Sequence, residues 1–272
     1  MHPSYARELE IAVAAAQQAS EIVIAHYRSD FAVKYKGPGK SDPVTAADQE
    51  ANTLIINQLA HAFPEDAILA EESEDNASRL TAHRMWCVDP VDGTQDFVDR
   101  TGDFCVMIGL AVGGEAVLGV VLAPTTGDLF TGVVGHGAFL TRGDVRTQLH
   151  IAPLVELKDR VIMMSRKHFS KRVLRVAQSL NITHQIQRGS VGLKMSAIAE
   201  GQAHGYISFS TRMQEWDTCG PEAIVRAAGG NVTDILGNPL RYNKPIPITQ
   251  TGFVATGGTE HDVWLDAAVK AI

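Results

Sequence analysis

Four separated stretches of the chain place carboxylates beside turn-forming residues: Asp42-Pro-Val-Thr-Ala-Ala-Asp48, Ala70-Glu-Glu-Ser73, Asp89-Pro-Val-Asp-Gly-Thr94 and Glu215-Trp-Asp217. In the third, Met85-Trp-Cys-Val88 reads as a buried strand that runs straight into two aspartates. Pro90 keeps Asp89 extended and fixes the turn. Gly93 lets the backbone bend sharply and come close to a ligand. Asp89 and Asp92 can then face one point, with the Val91 carbonyl beside them. Hard oxygen donors of this kind suit Mg²⁺ or Ca²⁺, not zinc or copper.

Each stretch also has a plainer reading. Asp89 to Thr94 would be a surface turn with local hydrogen bonds. Glu71 and Glu72 would end a strand in solvent. Asp48 would be a helix N-cap, and Asp217 would cap another helix, with Pro221 near its first turn. Trp216 would be core packing. Taken together the plain readings weaken, because several converging carboxylates repel one another and are costly to bury without cations. A cation cluster removes that objection and supplies positive charge for a phosphate. Two glycine-led turns, Gly93-Thr94-Gln95 and Gly189-Ser190-Val191, stand just before predicted helices, where exposed N–H groups receive anions. An ordinary turn is the alternative there.

The elements that must position these groups follow from the rest of the 272 residues. Leu9, Ala12, Val13, Ala16 and Val23 mark one face of a first helix. A Gly/Pro/Lys loop follows at 36–40. A second helix is predicted from near Asp48, with Ala51, Leu54, Ile55, Leu59 and Ala62 on one face, ended by Pro64. Strand-like runs follow at 67–69, 85–88, 104–112, 116–122 and 129–134. Beyond residue 150 strands (161–165, 205–209) alternate with helices (171–180, 191–200, 221–228). This predicts two halves: an α+β N-terminal half, 1–150, carrying three of the four acidic segments, and an α/β half, 151–272, carrying the fourth with Asp217.

Composition narrows the function. The formal charge is −7, from 24 basic and 31 acidic residues, which argues against a nucleic-acid polymer as partner. With 45% hydrophobic residues the core needs no staple. Three distant cysteines, Cys87, Cys105 and Cys219, fit neither a disulfide framework nor a zinc site and suit a reducing cytoplasm. The N-terminus does not read as a signal peptide. The apolar stretch 106–123 holds Glu115 and four glycines, so it reads as two strands joined at Gly113-Gly114, not as a membrane span.

The four acidic segments, with Trp216-Asp217 followed by Ala227-Ala-Gly-Gly230, resemble the inositol monophosphatase superfamily of Mg²⁺-dependent, Li⁺-sensitive phosphatases, and do so over nearly the whole chain. The resemblance implies a layered α-β-α-β-α sandwich with the site between its halves. It implies that Glu71, Asp89, the Val91 carbonyl, Asp92 and Asp217 hold Mg²⁺, about two or three ions per site, with Mn²⁺ as a substitute. Thr94, helped by Glu71 and Asp48, would orient the attacking water. Asp92, Gly93, Thr94, Gly189, Ser190, Lys194 and Asp217 would meet the substrate. Within the superfamily, Gly189-Ser-Val-Gly-Leu-Lys194, Asp92-Gly-Thr-Gln-Asp-Phe97 and Glu215-Trp-Asp-Thr218 are similar to the 3′(2′),5′-bisphosphate nucleotidases. Lys194 would take the second phosphate, or else be a solvated helix lysine. Ser210 stands where animal-type inositol monophosphatases carry a Glu. Thr218-Cys219-Gly220-Pro221 departs from the small alanines of many relatives.

The activity implied is release of the 3′-phosphate of adenosine 3′,5′-bisphosphate or its sulfated precursor. Hydrolysis of inositol 1-phosphate or of a sugar or histidinol phosphate is the alternative. A non-catalytic module binding a divalent cation or a phosphorylated ligand is another, and a carboxylate-pair glycosidase ranks last. Relatives are commonly homodimers.

Overall fold

The computed structural model describes residues 4–30, 32–36, 42–153, 155–167, 170–258 and 260–272. The loop expected at 36–40 lies, beyond Lys36, outside them. Helix α1 (Ala6–Arg28) buries a one-sided row of small residues, Ala12, Ala15, Ala16, Ala19 and Val23. A short antiparallel ribbon of β1 (Val33–Lys36) and β2 (Asp42–Thr45) leads into α2 (Ala46–Ala62). The helix starts two residues before Asp48 because Thr45 caps it. The Thr45 side chain accepts from the Ala47 N–H and the Asp48 carboxylate reaches back to the Thr45 N–H, a capping box. Asp48 is therefore the third helical residue, not the N-cap of the plainer sequence reading.

A seven-stranded sheet follows: β3 (Ala67–Ala70), β4 (Arg84–Asp92), β5 (Cys105–Val112), β6 (Glu115–Ala123), β7 (Asp128–Val133), β8 (Gly137–Arg142) and β9 (Val145–Leu149), hydrogen-bonded in that order. Only β3 and β4 run parallel; the rest is an antiparallel meander. Short α3 (Thr94–Val98) leaves the end of β4. Gly113 and Gly114, with φ of 59° and 80°, make the expected β5–β6 hairpin.

Strand alternation assigns the faces. Trp86, Val88, Val106, Ile108 and Leu110 pack under α1 and α2. Their neighbours Met85, Cys87, Cys105, Met107 and Ala111 face the other way. That second face is covered by α5 (Val191–Ala199) and α6 (Glu215–Ala227). Where α6 crosses β5, β6 and β7 the strands carry Gly109, Gly119 and Gly132. A Cβ at Gly109 would lie 2.5 Å from the Gly220 backbone nitrogen, and one at Gly132 would lie 2.7 Å from the Ile224 Cα. The helix backbone thus rests directly on the sheet.

Behind α5 and α6 lies a five-stranded sheet in the order β11 (His184–Arg188), β10 (Val161–Ser165), β12 (Gly205–Ser208), β16 (Phe253–Thr256), β14 (Asn231–Asp234). Its first three strands are parallel. A two-residue ribbon joins β13 (Met213–Gln214) to β15 (Ile248–Thr249). Helices α4 (Lys171–Ser179) and α7 (His261–Val269) close the outer face with Val173, Val176, Trp264 and Ala268 against Ile162, Met164 and Val254. The result is the α-β-α-β-α sandwich that the family resemblance implies. One hydrophobic cluster contains Cys105 and Met107 from the first sheet, Ile198 and Ile224 from the middle helices, and Met163 and Phe253 from the second sheet. The two halves therefore share a core.

The structure corrects one element boundary that bears on the site. Helix α6 begins at Glu215, so Asp217 lies in its first turn and Pro221 lies inside it. Pro221 has no N–H to give the Asp217 carbonyl. Among the described residues no helix is long and apolar enough to cross a membrane.

Candidate active site

The β4–α3 junction is the centre of the site. Gly93 has φ +95°, and a Cβ there would lie 2.9 Å from the Asp103 carbonyl oxygen, so conformation and space both require glycine. The Asp89 carboxylate accepts from the Val91 N–H at 3.0 Å, which folds the turn back on itself. Thr94 Oγ1 lies 3.0 Å from the Val91 carbonyl and 3.3 Å from Asp48 Oδ1. Asp48 is held in turn by the Thr45 N–H (2.8 Å) and hydroxyl (2.6 Å), both on Oδ2. Its other oxygen is thereby turned towards Thr94. Burial raises the Asp48 pKa, the Thr45 hydrogen bonds oppose the rise, and the charge of Glu72 adds to it.

Four of the expected metal ligands act on one another. Burial raises the Asp89 pKa well above the ordinary carboxylate range, and the charges of Glu71, Asp92 and Asp217 push it further in the same direction. Glu71 enters from the end of β3, where its N–H bonds the Val88 carbonyl. Asp217 enters from the first turn of α6, where one oxygen accepts the Gln214 N–H at 2.7 Å. Among the described residues no three His, Cys, Asp or Glu side chains gather closely enough to hold an ion by themselves. The donor chemistry of the cluster nonetheless fits a divalent cation. Hard, mutually repelling oxygens at a buried strand end are what such an ion neutralises.

The second glycine-led turn is built differently from expectation. Asp92 Oδ2 accepts from the Ser190 hydroxyl and from the Gly192 N–H (2.7 Å). The start of α5 therefore already receives an anion, and that anion is Asp92. Burial raises the Asp92 pKa, while Ser190, Gly192 and the Lys194 charge hold it down. The Gly189 N–H goes to Asp103 at 3.3 Å. Gly189 itself abuts the Asp96 carboxylate so closely that any Cβ would collide with it. Gly189 and Ser190 thus bind the first half of the chain to the second.

Lys194 departs from the plainer sequence reading. It is 1% exposed, so it is no solvated lysine, and its ammonium bonds the Gly189 carbonyl at 2.8 Å. Burial brings its pKa down to about 8 despite the opposing charges of Asp92 and Asp96. Sequence reasoning missed several partners of this turn. Cys105 Sγ sits 3.1 Å from Ser190 Oγ. Arg166 binds Asp96 and Asp103, and Arg188 approaches Asp103 at 3.6 Å. Arg188 directly precedes Gly189, a signal that adjacency alone could have given.

The chain matches the inositol monophosphatase family over residues 5–271. It is 32% identical to the 3′(2′),5′-bisphosphate nucleotidase CysQ of Escherichia coli, over 88% of this chain and 95% of that protein. It is 30% identical to the Nus factor SuhB of the same organism, over 87% of each chain. Among solved structures it superposes on SuhB of Bartonella henselae with a TM-score of 0.83 at 28% identity, covering 98% of this chain and 100% of that one. CysQ of Bacteroides thetaiotaomicron gives 0.80 at 28% identity, covering 93% and 98%. With the carboxylate cluster, the Asp48–Thr94 pair and these likenesses together, the chain belongs to the inositol monophosphatase family of metal-dependent phosphoric monoester hydrolases.

Proposed function

We propose that the protein is a Mg²⁺-dependent 3′(2′),5′-bisphosphate nucleotidase that releases the 3′-phosphate of adenosine 3′,5′-bisphosphate. The observation that carries the chemistry is the run from Asp48 through Thr94 to the Asp89 cluster. A bound divalent cation supplies charge neutralisation at phosphate oxygens and acidifies water. Glu71, Asp89, Asp92, Asp217 and the Val91 carbonyl would hold it. With its hydroxyl hydrogen directed at Asp48 Oδ1, Thr94 has oxygen lone pairs left to accept a proton from the attacking water as its own passes to Asp48. Asp48, buried and raised in pKa, is the group that can take up the proton passed along that hydroxyl. The N–H groups of Thr94 and Gln95 open α3 without acceptors inside the helix and suit the phosphate oxygens.

The name of a relative at 32% identity supports the bisphosphate nucleotide as substrate. Lys194 is turned inward, so the second phosphate is assigned to Arg166 and Arg188, which flank Gly189 and are 35% and 38% exposed at their side chains. Both stand at the carboxyl ends of parallel strands, where α/β sheets take ligands. A phosphate-release screen tests this across bisphosphate nucleotides, inositol phosphates, sugar phosphates and histidinol phosphate, with and without Mg²⁺. The highest kcat/KM should fall on the bisphosphate nucleotide and should vanish without the ion. A preference for inositol 1-phosphate would replace the nucleotide assignment. Metal binding without turnover would leave a binding module.

The same proposal places the enzyme in a reducing cytoplasm, where its three buried cysteines are free thiols. It acts on a small phosphorylated metabolite, not on a nucleic-acid polymer or a membrane. It works as a homodimer, which sedimentation would test.

A further inference from the structure

A buried polar strap lies outside the carboxylate cluster and ties together the segments that carry it. Arg79 sits in the short 3-10 turn Ala77–Thr81, on the connection from Glu71 to β4, and is 3% exposed. Its guanidinium grips Asp75 with two bonds, of 2.6 and 2.8 Å. It also donates to the Asn243 side-chain oxygen (3.0 Å) and the Lys244 carbonyl (2.9 Å). The Asn243 amide returns two bonds, to the Arg79 carbonyl (2.8 Å) and the Ala82 carbonyl (3.1 Å). The N–H groups of Asn243 and Lys244 then go to the two oxygens of Glu215, at 2.7 and 3.0 Å. Glu215 is 0% exposed and opens α6, two residues before Asp217.

Capping does not account for Glu215. The start of α6 is already served by the box between Gln214 and Asp217. The Glu215 carboxylate instead faces a loop some 28 residues further along the chain. Arg79 is paired with Asp75, and Glu215 has the Lys244 ammonium at 3.4 Å; buried pairs of this kind often stabilise a fold no more than apolar residues of the same volume would. What they provide is a fixed spacing. Glu71, Asp89 and Asp217 stand on three different segments, and the strap joins the first two segments to the third.

We infer that Arg79, Asn243 and Glu215 are positioning residues that set Asp217 against Glu71 and Asp89 for cation binding. This rests on the metal-site reading above. Groups bonded directly to metal ligands govern affinity by about 10–100-fold; the strap acts one step further out, through the backbone that carries Asp217, so its loss should weaken binding by the lower figure, about tenfold. The mildest variant is Asn243→Gly. The φ of Asn243 is +62°, which glycine adopts without strain, and only the side-chain bonds are lost. Arg79→Lys removes the two-bond grip on Asp75. The matched control is Arg84→Lys, since Arg84 is a similar guanidinium centre bonded to Asp66 (2.8 Å) and Glu8 (2.9 Å) at the other end of β4.

Mg²⁺ and Mn²⁺ dissociation constants would be measured on the whole metal-free protein by titration calorimetry, with urea unfolding alongside. Asn243→Gly and Arg79→Lys should bind each ion about tenfold more weakly, while Arg84→Lys loses stability but keeps the wild-type constant. Wild-type affinity in Asn243→Gly, or an equal loss in Arg84→Lys, overturns the assignment. A wild-type protein that takes up neither ion refutes the metal site itself, which is a separate failure.

Discussion

The seat of α6 on the first sheet gives the sharpest test of how the fold sets the chemistry. Gly119 on β6 lies beneath Gly220. A Cβ at position 119 would stand 2.7 Å from the Gly220 carbonyl carbon and closer still to its oxygen. The obstacle is backbone on both sides, so no side chain can rotate away. Restoring ordinary carbon contact of roughly 3.5–4.0 Å requires α6 to lift by about 1 Å. Overpacking of this kind costs about 1–3 kcal/mol, or roughly 2–6 °C in Tm for a chain of this length. Gly220 is three residues from Asp217, so the carboxylate moves with it. A displacement of about 1 Å at a reacting group can lower kcat by about 100-fold. Gly205→Ala separates the two effects. Its Cβ would meet Trp264 ring carbons at 2.6–2.9 Å, and Trp264 packs in the outer cluster with α4 and α7. Gly119→Ala should therefore lose both Tm and kcat, and Gly205→Ala mainly Tm. Wild-type kcat in a folded Gly119→Ala protein would refute the link between helix seat and carboxylate placement.

Three further outcomes follow from the same geometry. Added Mg²⁺ at about a hundredfold excess over its dissociation constant should stabilise the protein by about 2.7 kcal/mol, roughly 5 °C by differential scanning fluorimetry, and a chelator should reverse the shift. Glu222, in the interior of α6, has its pKa pushed up from 4.5 to about 7 by burial, against its bonds from Tyr242 and Arg226. The folded protein then binds more protons than the unfolded chain between those values, so stability falls as pH rises from about 4.5 to about 7, by at most about 3 kcal/mol. Glu222→Gln should remove that part of the pH dependence, read as the wild-type minus variant difference in urea unfolding at pH 5 and pH 8. Lys194→Met should destabilise the fold by about 1–3 kcal/mol, because it leaves the buried Gly189 carbonyl without its ammonium donor. Its KM for a bisphosphate nucleotide should stay near wild type, whereas a steep rise in KM with stability intact would restore Lys194 as a phosphate ligand.

How much of this was legible in the sequence depended on the range of the interaction. Apolar runs that become strands buried on both faces, such as 104–112, announce themselves because every residue must be apolar. The strands at Gly137–Arg142 and Val145–Leu149 went unread, since their side chains alternate or lie in solvent. Helix α7 was missed as well. The carboxylate segments were readable because metal chemistry limits residue type and local turn. Their partners were not, because Asp92 to Ser190 spans 98 positions and Asn243 to Arg79 spans 164.

Those long-range bonds also explain why the partner of the second helix start, at Ser190, could not be read from the sequence. A helix start attracts the nearest negative charge that the fold can deliver, and a local pattern cannot say whether that charge is a ligand's or the protein's own. At Thr94, α3 follows directly from a strand whose carboxylates are drawn to one another's vicinity by the fold, so its N–H groups border the reaction. At Ser190 the packing of α5 against β5 brings Asp92 within reach first. The proposed metal role then sets two demands on the same carboxylate, to join the halves through one oxygen and to hold a cation with the other. Asp92→Asn should accordingly separate the two. An amide can keep one acceptor for Ser190 and Gly192 but offers a donor where the cation needs an oxygen, so turnover should be largely lost while the fold persists. Unchanged hydrolysis in that variant would show that Asp92 serves only the junction.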